Sequence, residues 1–364
     1  MAAPFRADQV GSLLRPAALI AARGELRQGR LSAAELRARE DEAIRAVVER
    51  QESIGLAAVT DGEFRREWWH LDFLKQLEGV TLRENPGPKF AGAGAQPPIA
   101  TVTGKVRYGA PIMIEAFRFL EGATRQVAKL TIPSPSMLHL RGGRNAVSRQ
   151  AYPDLEEFWA DVAAAYGQAI AAFAAAGCTY LQLDDVGFAY LCDEKFRDSC
   201  RRNGDDPATL PRRYADTINA ALAARPPGLA VTMHTCHGNF RSSWATEGGY
   251  DVVAEAMFQS DIDGFFMEFD SARSGTFEPL RLLPRSKKVV LGLVTTKVGQ
   301  IESEEEILRR IDAAARLVPL ENLCLSPQCG FASHETGNTL SQDDQWRKLE
   351  LIVRIAAKVW GTAM

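Results

Sequence analysis

Val231-Thr232-Met233-His234-Thr235-Cys236-His237-Gly238-Asn239-Phe240 reads as a short strand that runs directly into a polar loop. Side chains two apart share one face of an extended chain, so His234 and Cys236 project together. An imidazole nitrogen and a thiolate sulfur on one face are half of a zinc site. Taken alone the pair says little, because His-x-Cys arises by chance in many chains. Its weight comes from the rest of the sequence, where the same strand-into-loop plan recurs.

Short β-branched runs at 6–13, 57–63, 128–134, 179–186, 230–236, 264–269, 288–295 and 323–329 alternate with helical patterns. The amphipathic stretches between them include 32–54, 155–176, 210–224, 304–317 and 342–360. Ser32 with Glu35, and Ser303 with Glu306, carry the spacing of helix N-terminal caps. Eight strand–helix alternations in one chain predict an α/β fold of the (β/α)8 TIM-barrel type. In Tyr180-Leu181-Gln182-Leu183-Asp184 the leucines share one face while Gln182 and Asp184 share the other. Polar residues gather toward strand ends, as expected where a site is built at the C-terminal mouth of a barrel.

Residues 79–127 are too long for a connecting loop and include a Pro/Gly-rich piece at 85–98. They are expected to form an insertion after the second strand, a hairpin and a helix overhanging the mouth. The stretch 187–225 carries extra helix before the fifth strand. Neither has enough apolar sequence for a core of its own, so the expectation is one barrel domain over 1–364.

With 46% hydrophobic and 24% charged residues in 364, the composition is that of an ordinary globular protein with room for a large core. The 43 basic and 46 acidic residues are well mixed, for a net charge of −3, so no nucleic-acid surface is expected. No apolar run reaches the roughly 18–20 residues that a membrane span needs. The first 29 residues lack the apolar core of a secretory signal, which points to a cytoplasmic protein. Six scattered cysteines do not make a disulfide framework; in a reducing compartment they are metal ligands, reactive thiols or buried fillers.

Four potential ligands fall at the ends of the fifth, sixth and eighth strands: His234, Cys236, Glu268 and Cys329. Zn²⁺ accepts such nitrogen, oxygen and sulfur donors in a tetrahedron. Of the four, the carboxylate is held least tightly and could yield to an incoming thiol. The alternative is that the two cysteines are small buried hydrophobes and Glu268 an ion-pair partner. A barrel favours the metal reading, because it brings the three strand ends toward one mouth.

Several strand ends taken together resemble the catalytic barrel of cobalamin-independent methionine synthase, in a short form without the family's large N-terminal half. The matching pieces, in the family's order, are Val10-Gly11-Ser12, Asp61-Gly62-Glu63-Phe64, Leu183-Asp184-Asp185, His234-x-Cys236, Glu268-Phe269-Asp270-Ser271-Ala272-Arg273-Ser274 and Ser326-Pro327-Gln328-Cys329-Gly330. The resemblance implies that His234, Cys236, Glu268 and Cys329 hold Zn²⁺. It also implies that Ser12, Glu63 and Asp184 hold the amino-acid end of homocysteine. The implied activity is zinc-dependent S-methyl transfer to a small thiol, with methylfolate or a methylated corrinoid carrier as donor. Read without the resemblance, Asp184 suits a cap or salt bridge at the mouth, and Glu63 a turn beside Gly62.

Where long family members carry an acid histidine after the seventh strand, this chain reads Leu293-Val294-Thr295-Thr296-Lys297. Lys297 is the candidate proton donor or anion holder at that place. His237, next to the ligand pair, is a candidate proton relay. His139 and His334 read as hydrogen-bonded fillers, and the Trp68-Trp69-His70 cluster as packing more than as a roof over the site. Arg65, Arg66, Arg241 and Arg273 are candidates for binding a substrate carboxylate or sulfonate. A sulfonate would fit a neighbouring chemistry, epoxyalkane:coenzyme M transfer, which resembles the same barrel and zinc-bound thiol. A non-catalytic zinc or thiol-binding barrel is a further alternative. A metallo-hydrolase ranks last, because no His-x-His lies in 6–13 and thiolates suit thiol activation better than water activation.

Overall fold

The computed structural model describes residues 3–84 and 98–364. The Pro/Gly-rich piece, apart from residue 98, lies outside the described residues. Among the described residues nine strands are formed: β1 (Ala58–Val59), β2 (Glu78–Arg83), β3 (Ile99–Arg107), β4 (Val127–Pro133), β5 (Tyr180–Asp185), β6 (Ala230–Thr235), β7 (Gly264–Glu268), β8 (Lys288–Val294) and β9 (Leu323–Pro327). Seven of them pair in the order β1-β4-β5-β6-β7-β8-β9, every neighbour parallel, while β2 and β3 form a separate antiparallel hairpin. Parallel neighbours require crossover connections, and the helices supply them. The fold is the expected (β/α)8 barrel.

The first stave differs from expectation. Residues 6–13 make a single parallel bridge, Ala7 to Leu325, instead of a ladder strand. On that side Asp8 N donates to Leu325 O at 3.0 Å and Leu325 N to Arg6 O at 2.8 Å. The reason lies in who takes the stave's carbonyls. Lys129 Nζ binds Gln9 O at 2.6 Å, Gln182 Nε2 binds Val10 O at 2.5 Å, and Thr60 Oγ1 binds Gly11 O at 2.6 Å. Side chains of the barrel interior thus replace a backbone ladder along this stave. The predicted 57–63 strand is likewise shortened to two residues, because Gly62 and Glu63 turn the chain at φ 64° and 60°.

The predicted insertion is present as a hairpin, but its placement is corrected. β3 lies along helix Leu155–Ala175, with Ser148 N bonding Val102 O at 2.8 Å and Val106 N bonding the Tyr152 hydroxyl at 2.6 Å. Helix Ile114–Ala123 does not overhang the mouth. It packs between helix Ala33–Ser53 and helix Leu155–Ala175 and returns the chain to β4, a place in the outer ring. Its buried face, Ile114, Phe117 and Leu120, explains that position.

Sequence caps are realised locally. Ser32 and Glu35 form a reciprocal capping box, and Ser303 accepts from Glu306 N at 3.4 Å. Among the described residues, no helix is long and apolar enough to cross a membrane.

Candidate metal and thiol site

Strand register places the first pair of groups. Asp184 on β5 lies directly beside His234 on β6, and their Oδ1 and Nδ1 atoms are 3.6 Å apart. Cys236 follows one residue after β6 ends, and Glu268 is the last residue of β7. Cys329 follows β9, whose register with β8 shifts where Gly292 pairs with Ser326 and Val294 with Pro327. A Cβ on Gly292 would stand 2.8 Å from Gln328 Cα and 2.8 Å from Met267 O. Only a residue without a side chain allows that approach.

The outcome is one buried cluster. The ligand atoms of His234, Cys236, Glu268 and Cys329 all lie within 4.8 Å of one another. The two sulfurs are 3.4 Å apart, and Cys236 Sγ is 3.5 Å from Glu268 Oε1. Donors around the cluster aim at its anionic atoms. Gly238 N points to Cys236 Sγ at 3.2 Å, His237 N to Glu268 Oε2 at 3.1 Å, and Gln328 Nε2 to Glu268 Oε1. Arg273 adds a cation 3.4 Å from Glu268 Oε2.

Charge in this cage is skewed toward binding a cation. Burial alone would lower the His234 pKa, yet the close approach of Asp184 and the charges of Cys329 and Glu268 push it up to about 9. Burial would also push the Glu268 carboxyl up; the groups around it, His237, Lys297 and Arg273, hold it below the usual carboxylate range. Hydrogen bonding to Cys236 lowers the Cys329 thiol, and the same bond raises that of Cys236. A metal cation arriving between the two sulfurs would favour the thiolate form of both. Two sulfurs, one imidazole and one carboxylate, all buried and supported by outer hydrogen bonds, fit Zn²⁺.

The cluster opens into a pocket whose wall carries Val10, Ser12, Glu63, Asp184, His234, Cys236 and Cys329. Every residue expected to hold an amino-acid end therefore shares one cavity with the sulfur ligands. Glu63 accepts from Thr131 Oγ1 at 2.8 Å through Oε1, while its buried Oε2 has no partner among the described residues. Burial raises its pKa to about 6, with Arg66 pulling the other way. Ser12 is held against the last loop, its hydroxyl accepting from Ala332 N at 3.3 Å.

Other expectations fare differently. Lys297 is buried and its ammonium faces Gly238 O at 3.2 Å, Asn239 Oδ1 at 3.4 Å and Ser243 O at 3.5 Å. That geometry clamps the loop after β6. His237 is fully buried against the Tyr250 ring, centroids 5.4 Å apart, and burial lowers its pKa to about 4. It is absent from the pocket wall. His139 meets the Tyr214 hydroxyl at 3.1 Å, as a hydrogen-bonded filler should.

Arg65 pairs with Glu40 and Asp41, Arg66 with Glu63, and Arg273 with Glu268 and Asp270, so these three are engaged inside the fold. Trp68, Trp69 and His70 line the pocket, and Trp68 and His70 are also buried against neighbouring rings. Sequence reading missed Arg141 on the same wall. It lies two residues beyond His139 in a turn region without strand or helix periodicity, so no pattern marked it.

A family profile described as "Cobalamin-independent synthase, Catalytic domain" matches residues 5–357. The Bacillus subtilis protein YxjH, described as uncharacterized, is 48% identical over 98% of this chain and 95% of its own. A Listeria monocytogenes structure, reported as a candidate vitamin-B12-independent methionine synthase, is 40% identical with a TM-score of 0.80, covering 99% of both chains. The methionine synthase of Pyrococcus abyssi is 24% identical over 79% of this chain and 74% of its own.

Proposed function

Because this chain belongs to the cobalamin-independent synthase catalytic-domain family, we propose that it is a zinc-dependent S-methyltransferase whose acceptor is a small thiol, homocysteine, giving methionine. The observation that carries the reading is the convergence of four buried donor atoms within 4.8 Å on a pocket that also holds Ser12, Glu63 and Asp184.

His234, Cys236, Glu268 and Cys329 would hold the zinc, which when bound lowers the pKa of an incoming thiol and keeps it as thiolate at neutral pH. This chain's own residues do the rest. The unpartnered Oε2 of Glu63 and the neighbouring Asp184 carboxylate suit the substrate ammonium. The Ser12 hydroxyl and the amides of the 330–332 loop suit its carboxylate. Lys297 keeps the 238–243 loop closed over the sulfur ligands, and Gln328 and Arg273 fix the Glu268 carboxylate. In the transfer, the thiol proton passes to solvent, sulfur attacks the methyl carbon, and the bond from carbon to the donor breaks with its electron pair on the donor, which a folate nitrogen then uses to take up a proton from solvent. The donor is methylfolate or a methylated corrinoid carrier.

The test is direct. Purified protein should contain about one zinc per chain and convert homocysteine to methionine with methylfolate or methylcobalamin, followed by mass. Chelation or Cys329→Ser should abolish both zinc and transfer. Undiminished transfer by metal-free protein would overturn the proposal.

A further inference from the structure

Part of the pocket wall has no task in the transfer described above. His70 is only 2% exposed, and neither of its ring nitrogens has a hydrogen-bond partner among the described residues. A buried imidazole in that state forgoes two hydrogen bonds, which a fold rarely tolerates without a use. Arg141 lines the same pocket, and its buried Nε is also unpartnered among the described residues. Unlike Arg65, Arg66 and Arg273, it has no carboxylate paired with it there. The two groups are close enough for the guanidinium charge, after burial, to lower the His70 pKa well below its ordinary value. A neutral ring then presents one N–H donor beside a permanent cation. Trp68, Trp69 and Phe240 supply apolar walls around them.

We propose that Arg141 and His70 form a carboxylate-binding subsite in the mouth pocket, which fixes an acidic group of a substrate in the methyl transfer. The inference rests on reading the pocket as the thiol-transfer site. The guanidinium fork takes the two carboxylate oxygens, and the His70 N–H adds a third donor. Ser12 and the 330–332 amides already suit the acceptor's carboxylate. The acidic group at Arg141 is therefore assigned to the methyl donor, and the donor is a small organic acid or carries one.

Calorimetry on the zinc-loaded protein tests this with benzoate as probe and benzamide as its uncharged counterpart, each with and without saturating homocysteine. Benzoate should bind more tightly than benzamide. Arg141→Met should weaken benzoate by about 10- to 100-fold and leave benzamide unchanged. Arg141→Lys should restore part of the loss, and His70→Leu should produce a smaller loss than Arg141→Met. Zinc content and homocysteine affinity of each variant report whether it is folded. Benzoate binding that survives saturating homocysteine supports the donor assignment; displacement by homocysteine overturns it and gives the subsite to the acceptor. Equal affinity for benzoate and benzamide, in protein that still binds zinc and homocysteine, overturns the subsite and leaves the thiol reading intact. Arg141-dependent benzoate binding in protein that takes neither zinc nor homocysteine supports the subsite and rejects the thiol reading instead.

Discussion

Glu63 carries two unfavourable features at once, a left-handed backbone at φ 60° and a buried carboxylate oxygen without a partner among the described residues. Non-glycine residues in that conformation persist where surrounding structure enforces them, often at a site of use. Burial raises its pKa from 4.5 to about 6, against the pull of Arg66. The raised value means that Glu63 favours the fold below pH 4.5, and that this contribution is lost as pH rises through about 6. Binding has the opposite sign, because an ammonium needs the ionised carboxylate. Homocysteine affinity should therefore fall roughly tenfold per pH unit below the Glu63 pKa. Glu63→Gln should weaken binding by about 10- to 100-fold and flatten that acid limb. Calorimetry across the acid range checks this, and an unchanged limb in the variant would remove Glu63 from the ammonium site. The place of Glu63 on the pocket wall was legible in the sequence because it stands in a strand-end motif. That of Arg141 was not, since it depends on which wall a turn faces, and nothing in its neighbours encodes that.

Among the elements, the β8–β9 pair decides whether the cluster closes. His234 and Cys236 are set by the two-residue period of one strand, which the sequence displays openly. Cys329 depends on Gly292 allowing the Pro327-Gln328 backbone to come in. Gly292→Ala would set a methyl group 2.8 Å from Gln328 Cα. The loop must move, at a cost of about 1–3 kcal/mol, and Cys329 moves with it. The expected result is native-like circular dichroism with zinc affinity down by about tenfold or more, measured by competition with a chelating dye. Wild-type affinity in this variant would show that the cluster does not depend on that approach. The hairpin and the helix Ile114–Ala123 teach the same lesson. Their existence followed from periodicity, whereas their attachment to the flank and the outer ring followed from which apolar faces met.

At the scale of the whole molecule, closure of the barrel falls to a polar group in its interior. Lys129 on β4 is wholly buried, 3.0 Å from Asp8 Oδ1 and 2.6 Å from Gln9 O, and its ammonium stands 4.1 Å from the Phe266 ring centroid. Asp8 also accepts from the Tyr180 hydroxyl at 2.8 Å and Phe5 N at 3.2 Å, so the first stave is tied across the barrel. Lys129→Met should lower the unfolding free energy by about 3–5 kcal/mol, since it strands a buried carboxylate. Adding Asp8→Asn should recover a good part of the loss, and urea denaturation at fixed zinc would read both. A loss in the double variant equal to the sum of the two single-variant losses would mean that the two groups act independently. The sequence by itself determined the barrel, the order of its staves and the identity of the four donors that converge, because strand and helix periods and strand-end motifs are local properties of the chain. Tertiary structure alone decided how the ring closes through interior side chains bound to the carbonyls of 9–11, how closely the Pro327-Gln328 backbone approaches Gly292, and which arginine is left facing the pocket. Those outcomes depend on register and on competition for hydrogen-bond partners between segments far apart in the chain, and no local pattern records either.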